Sequence, residues 1–183
     1  MGIFLKDINL KGKTALITGA TKGLGRGAAE AIAEAGGDII AIGRNQSELN
    51  SLGKKIKKLK VKYISFNCDV NNYNKIKHFI TNLKKLDILV NNAGTNIPET
   101  FLNVRKKSLE TILNVNTKAV FNIAQLCANQ IIKLKRKQGS IINISSIFGL
   151  VAGQKRTVYS MTKFGVEGLT KGMALDLAKY NIR

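Results

Sequence analysis

Thr18-Gly19-Ala20-Thr21-Lys22-Gly23-Leu24-Gly25 is the stretch that decides the fold. Its glycines are spaced G-x-x-x-G-x-G. The apolar, β-branched run Thr14–Thr18 leads into it, and Gly25–Ala35, rich in Ala and Glu, leads out. A strand, a glycine-rich turn and a helix in that order bring backbone N–H groups and the positive end of a helix dipole to one point, where a phosphate is favoured. Glycine suits this turn because a side chain would hold the backbone away from the anion. Glycines also build ordinary turns, so the loop takes its meaning from its position between strand and helix. Gly19, Thr21, Lys22, Gly23, Leu24 and Gly25 are the first candidate binding residues.

The same alternation continues outward. Gly36-Gly37 is a natural stop for the first helix. Asp38–Ile42 reads as a second strand and Ser47–Lys60 as a second helix, with Ser47 as the candidate N-cap. Lys62–Cys68 is the third strand, Asn74–Leu83 a short helix and Asp87–Asn91 the fourth strand. A long helix over Ser108–Leu134, a fifth strand Ser140–Ile144 and a last helix Val158–Lys179 complete the pattern. Strands alternating with helices predict parallel βαβ units, hence an α/β, doubly wound sheet with helices on both faces. Ile39–Ile42 and Ile88–Val90 are near-continuous apolar runs, as expected of strands covered on both sides. Residues 1–183 read as one dinucleotide-binding domain, without repeats or a long linker. Such sheets usually have six strands in the order 3-2-1-4-5-6. Five are found here, and Asn181-Ile182-Arg183 falls where a sixth should begin, so the last strands are expected to be missing.

Composition narrows the class of function. Of the 183 residues 44% are hydrophobic, enough for a sizeable core. Met1–Lys13 carries Lys6, Asp7, Lys11 and Lys13 with no long apolar run, so no signal peptide is expected, and Met1-Gly2-Ile3-Phe4-Leu5-Lys6 lacks the Ser or Thr of a myristoylation signal. No stretch has the roughly 18 apolar residues of a membrane span, and a cytoplasmic protein without membrane contact is expected. Cys68 and Cys127 lack metal-ligand spacing and read as reduced, buried thiols. His78 is the only histidine, lies in a Lys-rich stretch and reads as a surface residue, so no metal site is expected. The formal charge is +19, but the lysines are dispersed, with Lys54–Lys60 and Lys133–Lys137 the densest runs. That argues against nucleic acid as a specific partner and for a general field that attracts anionic ligands.

The end of the second strand bears on which dinucleotide is bound. An acidic residue there would hold the ribose hydroxyls of NAD and repel a 2′-phosphate. The sequence is Gly43-Arg44-Asn45, and Asp38 lies at the strand's other end. Arg44 is placed to pair with a 2′-phosphate, and Lys22 could add a second positive charge, so NADP(H) is expected over NAD(H). The competing reading is that both are solvated surface cations, which are common in so basic a chain.

Tyr159-Ser160-Met161-Thr162-Lys163 opens the last helix. Residues four apart share a helix face. A free tyrosine titrates near pH ~10 and is a poor base at neutral pH. An ammonium close by favours the phenolate, which suits a tyrosine that gives a proton to a ketone or takes one from an alcohol. The spacing alone occurs often by chance. Ser146, thirteen residues before Tyr159 and just past the fifth strand, could hydrogen-bond the substrate oxygen. The glycine-rich loop, Asn91-Asn92-Ala93-Gly94 and Ser146 all fall at carboxyl ends of predicted strands, where open α/β sheets bind ligands.

Thr18–Gly25, Asp69-Val70, Asn91–Gly94, Asn116, Ser146, Tyr159 and Lys163, in this order, resemble the short-chain dehydrogenase/reductase family, specifically its members with a T-G-x-x-x-G-x-G loop. The resemblance runs from Gly12 to Arg183 and implies a Rossmann fold with hydride transfer to or from a nicotinamide cofactor. It implies that Asn116, on the long helix, supports a proton-relay water beside Lys163. It implies that Lys163 and Tyr159 also hold the nicotinamide ribose, that Asp69 contacts adenine with Val70 beside it, and that Asn92, Ala93 and Gly94 line the cofactor. It further implies a sixth strand, a Pro-Gly loop, a mobile segment over the substrate and a seventh strand, none of which lies within the 183 residues.

Local sequence is most similar to sugar-acid or polyol dehydrogenases, such as gluconate 5-dehydrogenase, and to 3-oxoacyl-acyl-carrier-protein reductases. Asn96, Phe148 and Gln154 are the expected substrate-facing positions, with Gly149–Thr157 near the pocket mouth. Polar Asn96 and Gln154 suit a hydroxylated substrate, whereas a basic surface suits an acidic carrier. A nucleotide-binding sensor or scaffold without turnover is the competing class, and it has no need of the full Asn116, Ser146, Tyr159 and Lys163 set. The family commonly forms dimers or tetramers through the long helix and the tyrosine-bearing helix. Val166, Leu169, Met173 and Leu177 could supply that apolar face, and core packing explains them equally well.

Overall fold

The computed structural model describes residues 8–136 and 138–183; Met1–Asp7, on which part of the N-terminal reading rests, and Lys137 lie outside the described residues. Five parallel strands form one sheet in the order β3-β2-β1-β4-β5, built from β1 (Thr14–Thr18), β2 (Asp38–Gly43), β3 (Tyr63–Asn67), β4 (Ile88–Asn91) and β5 (Ser140–Asn143). The order reverses between β1 and β4. Ligands of open α/β sheets bind in the crevice at such a point.

Alternate residues of the strands feed two cores. Leu16, Ile40, Ile42 and Leu89 pack with Ile76 and Ile80 of α3 (Tyr73–Thr81) and with Ile123, Cys127 and Ile131 of α5 (Ala119–Lys133). Ala15, Ile17, Ile39, Ala41 and Val90 pack on the other face with Ala29 and Ala33 of α1 (Gly23–Glu34) and with Leu49, Leu52 and Ile56 of α2 (Gln46–Lys57). The period of two along a strand sends neighbours to opposite faces, so the inner residues of β1 (Ala15–Ile17) and β2 (Ile39–Ile42) must be apolar. Helix α1 stops at Gly36, whose φ of 89° lets Gly36 N–H reach Ala33 O and Gly37 N–H reach Ile32 O, closing the last turn.

Two sequence expectations change, and a third gains a detail. The N-cap of α2 is Asn45, not Ser47: the Asn45 Oδ1 accepts from Glu48 N–H at 3.2 Å, and the Ser47 hydroxyl donates to the same oxygen at 2.8 Å. The long helix is not continuous. It runs as α4 (Lys106–Leu113), a π-helical turn (Asn114–Lys118) and α5, with Ala119 N–H bonded to Asn114 O. The last residues also reach the sheet. After α6 (Thr157–Leu177) and a short 3-10 turn, Ile182 bridges Gly139 in parallel, and Arg183 O accepts from Ile141 N–H at 2.8 Å. The chain thus begins to pair beyond β5, at the place the sequence marks for a sixth strand.

Cys68 and Cys127 are free and buried, and His78 is exposed. Val166 is buried, and Met173 and Leu177 pack against the α5-side core, so core packing accounts for them. The exposed apolar residues of α6 are instead Met161, Phe164 and Leu175, with Phe121 exposed on α5. No helix among the described residues is long and apolar enough to cross a membrane.

Candidate active site

A cleft of about 600 Å³ opens at the carboxyl ends of β1, β2, β3 and β4. Gly19, Thr21, Lys22, Arg44, Asp69, Val70, Asn92, Ala93 and Gly94 line it, nine of the candidate binding residues. Gly23, Leu24 and Gly25 form the first turn of α1 and do not line it; Leu24 points largely to solvent and Gly25 is buried. Lys22 caps α1 without a side-chain hydrogen bond, and the first turn holds no acidic residue. The N–H groups of an uncapped helix need an acceptor, and an anion supplies one. This helix end, beside a glycine-lined cleft, fits the pyrophosphate of a dinucleotide.

A second turn is clamped onto the loop. The Thr18 hydroxyl oxygen accepts from both Asn92 N–H and Ala93 N–H at 3.0 Å. Asn92 Nδ2 donates to Thr18 O and Gly19 O at 3.0 and 3.2 Å. Asn92 therefore spends its amide on scaffolding, while its neighbours face the cleft. Asn91 Nδ2 donates to Val120 O and Asn143 Oδ1, both at 3.1 Å, tying β4 to α5 and β5.

At the rim of the cleft beyond β2 and β3, Arg44 Nη1 lies 3.7 Å from Asp69 Oδ2, with both side chains well exposed. Asp69 Oδ1 also accepts from Asn71 N–H at 2.8 Å. Glu48 lines the same cleft.

Tyr159 and Lys163 occupy adjacent turns of α6. Lys163 is 5% exposed and its Nζ lies 5.7 Å from the centroid of the Tyr159 ring. That ammonium donates to Ile144 O at 2.7 Å, just past β5. Burial lowers the Lys163 pKa, and the nearby Glu167 carboxylate opposes part of that shift. The Phe148 ring packs edge-on to Tyr159, 6.2 Å between centroids. Ser146 caps a short 3-10 turn, its Oγ accepting from Phe148 N–H at 3.2 Å. A hydroxyl is one donor and two acceptors, so this use leaves the Ser146 O–H available to an outside oxygen. Asn116, 1% exposed, sits in the π-helical turn. Its Oδ1 accepts from Thr95 N–H and its Nδ2 donates to Thr95 O, both at 2.8 Å. Asn116 Oδ1 and Lys163 Nζ lie 3.6 and 3.9 Å from the point where Gly94 would carry a Cβ, so the tyrosine–lysine pair adjoins the cleft.

A family model described as short chain dehydrogenase matches residues 13–183. The chain belongs to the short-chain dehydrogenase family. Among curated relatives, 3-oxoacyl-[acyl-carrier-protein] reductase FabG of Thermotoga maritima is 34% identical over 180 residues, covering 96% of this chain and 72% of its own. The 2-dehydro-3-deoxy-D-gluconate 5-dehydrogenase of Dickeya dadantii is 35% identical over 184 residues, covering 98% and 72%. A solved short-chain type dehydrogenase/reductase from Mycobacterium marinum superposes with a TM-score of 0.91 at 31% identity, covering 100% of this chain and 76% of that one. The chain is thus an NAD(P)-dependent short-chain oxidoreductase acting on CH–OH groups, and its sheet is the family's Rossmann-like sheet.

Several lining residues of this short-chain dehydrogenase carry no sequence signal. Gly43, Asn45, Glu48, Cys68, Asn71, Thr95, Thr111 and Val115 complete the cleft wall. Thr111 and Val115 reach it from α4 and the π-helical turn, which periodicity alone shows as plain helix. Of the expected substrate-facing set, Phe148 packs against Tyr159, whereas Asn96 and Gln154 are solvent-exposed. The two loops carrying them touch where Glu99 N–H donates to Lys155 O at 3.2 Å.

Proposed function

We propose that this chain, as one dinucleotide-binding domain, reduces a small ketone or oxidises the matching secondary alcohol, with NADP(H) preferred and a sugar acid or polyol as substrate. The observation that carries the reading is the Lys163 ammonium, buried, set 5.7 Å from the Tyr159 ring and anchored on the carbonyl of Ile144, which lies two residues before Ser146. When bound, the nicotinamide supplies or receives the hydride at the substrate carbon. Tyr159 gives its phenolic proton to the substrate oxygen in reduction and takes it back in oxidation. The Ser146 O–H holds that oxygen while its charge develops. Lys163 keeps a positive charge beside the phenol, so the phenolate left after proton transfer is stabilised. Asn116 fixes the π-helical turn against Thr95 beside this pair.

Arg44 and Lys22 on the cleft rim support the NADP(H) preference. A 3-oxoacyl thioester carried by an acidic protein is the second reading, favoured by exposed Ile147, Leu150 and Val151 beside Ser146 and by the basic surface. Exposed Phe121, Met161, Phe164 and Leu175 on α5 and α6 support self-association into a dimer or tetramer.

The test is NADPH oxidation, or NADP reduction, at the nicotinamide absorbance with 2-dehydro-3-deoxy-D-gluconate and with a 3-oxoacyl thioester. Tyr159→Phe should lower kcat by at least about a hundredfold while NADPH still binds. Undiminished turnover in that variant refutes the mechanism, and turnover of the thioester alone favours the second reading.

A further inference from the structure

Thr162 lies between the two residues of α6 on which the proposed chemistry rests, and its side chain faces neither the cleft nor solvent. It is 2% exposed. Asn116 Nδ2 donates to Thr162 Oγ1 at 3.2 Å, and Thr162 Oγ1 donates to Tyr159 O at 2.7 Å. The direction of both bonds is fixed. An amide nitrogen only donates, so the threonine hydroxyl must accept from Asn116 and can give its single proton only to the Tyr159 carbonyl.

Both N–H bonds of the Asn116 amide are then used. Its oxygen takes the Thr95 N–H, and its two N–H bonds go to Thr95 O and Thr162 Oγ1. One directional chain therefore runs from the Thr95 backbone, at the wall of the cleft, through Asn116 to Thr162 and the Tyr159 carbonyl. It joins three segments far apart in sequence: the turn after β4, the π-helical turn and the first turns of α6. A hydroxyl bonded back to the carbonyl three residues earlier also adjusts the local helix, and here that helix turn carries both Tyr159 and Lys163. Small errors in such geometry cost large factors in rate.

We propose that Thr162 is a positioning residue: its hydroxyl holds the Tyr159–Lys163 turn of α6 in register with Asn116 and Thr95, and so places the phenol over the cleft. The proposal rests on Tyr159 being the proton-transferring group. Ser160 provides the contrast. It is on the same turn and 5% exposed, yet its hydroxyl makes no hydrogen bond among the described residues.

The experiment measures kcat, KM and NADPH binding by fluorescence for Thr162→Val, Thr162→Ser, Ser160→Ala and Tyr159→Phe. Valine keeps the shape and removes the hydroxyl. Thr162→Val should lose about tenfold or more in kcat with the NADPH dissociation constant within about twofold of the parent, a loss confined to the chemical step. Thr162→Ser should recover most of that loss, and Ser160→Ala should match the parent. If the valine variant does not fold, Thr162→Ala reads the same quantity, since alanine suits a helix. A folded hydroxyl-free variant with parental kcat, or a serine variant as slow as the valine one, overturns the proposal. Parental kcat in Tyr159→Phe instead overturns the reading beneath it, and the two failures are told apart in one set of assays.

Discussion

The side-chain amide of Asn92 occupies the space that a Cβ on Gly25 would fill. The carbonyl of Gly19 closes the same space from the loop side. Gly25 is thus the point where α1, the glycine-rich loop and the turn after β4 meet without side-chain atoms between them. Gly25→Ala must push the Asn92 amide off Thr18 O and Gly19 O. The expected results are a loss of about 1–3 kcal/mol in stability, from overpacking of a closed contact, and a weaker dinucleotide site. Urea unfolding and NADPH fluorescence titration measure the two. Binding at the parental affinity would show that the clamp on the loop is dispensable.

The proposed preference for NADP(H) is tested at the rim of the cleft. Arg44 is 81% exposed and only loosely held by Asp69 at 3.7 Å, so its guanidinium is free to meet a 2′-phosphate. A hydrogen bond to a charged group is worth about 1.5–3 kcal/mol, so Arg44→Asp should weaken NADPH by roughly 10- to 100-fold and leave NADH much less affected. Glu48→Gln should strengthen NADPH by a few-fold, since Glu48 lines the same cleft and opposes the phosphate. The two dissociation constants, measured side by side at one ionic strength, check both. An unchanged NADPH-to-NADH ratio in Arg44→Asp would remove Arg44 from the site.

The sheet was legible because β1, β2 and β4 are buried on both faces and had to be written in apolar residues. The loop was legible because glycine is the only residue that permits its contacts, as Gly25 illustrates. Tyr159, Lys163 and Ser146 were legible as types in an order. What the sequence could not carry is contact between segments. The π-helical turn around Asn116 has no periodic signature, because a single turn, Asn114–Lys118, is too short to establish a period of its own. Asn45 and Ser47 are both good caps, and only the backbone decides between them. Glu48, Thr111 and Val115 reach the cleft from helices whose sequences give no sign of it. Val166, Leu169, Met173 and Leu177 fit an outer face and the core equally well by spacing; Val166 is buried, Met173 and Leu177 pack partly buried against the α5-side core, and Leu169 is half-buried.

At the opposite end of the sheet, Asp87 is 2% exposed and carries a charge that must be matched. Its Oδ1 receives Arg136 Nη2 at 2.6 Å and Nε at 2.8 Å, and its Oδ2 accepts from Thr14 N–H at 2.9 Å. Lys13 stands farther off at 4.0 Å. The backbone of Asp87 also joins Thr14 and Ser140, so this residue holds β1, β4 and β5 together at their amino ends. Removing one partner of a buried pair costs about 3–5 kcal/mol. Arg136 is partly exposed at 30%, which brings the expectation for Arg136→Met to about 2–3 kcal/mol. Because the pair lies at the far end of the strands from the cleft, the folded variant should bind NADPH as the parent does. A variant as stable as the parent would show that Lys13 and solvent suffice for Asp87.

Lys163 should trade stability for function. Burial lowers its pKa in the folded chain, with Glu167 opposing part of the shift. Between that lowered value and the ordinary lysine value, the unfolded chain binds more protons than the folded one, so stability rises with pH across this window. Below the window the full cost of burying the ammonium stands, offset in part by its bond to Ile144 O. Lys163→Met removes the charge and keeps an unbranched apolar stem. At neutral pH the variant should be more stable than the parent, on the order of 1 kcal/mol, as when a buried ion is replaced by an apolar side chain. Its advantage should shrink as the pH climbs through the window, while turnover is lost at every pH. Thermal melts of both proteins from neutral to alkaline pH provide the measurement. A methionine variant less stable than the parent at neutral pH would mean that the Ile144 carbonyl outweighs desolvation, and that the lysine is held there by structure as much as by catalysis.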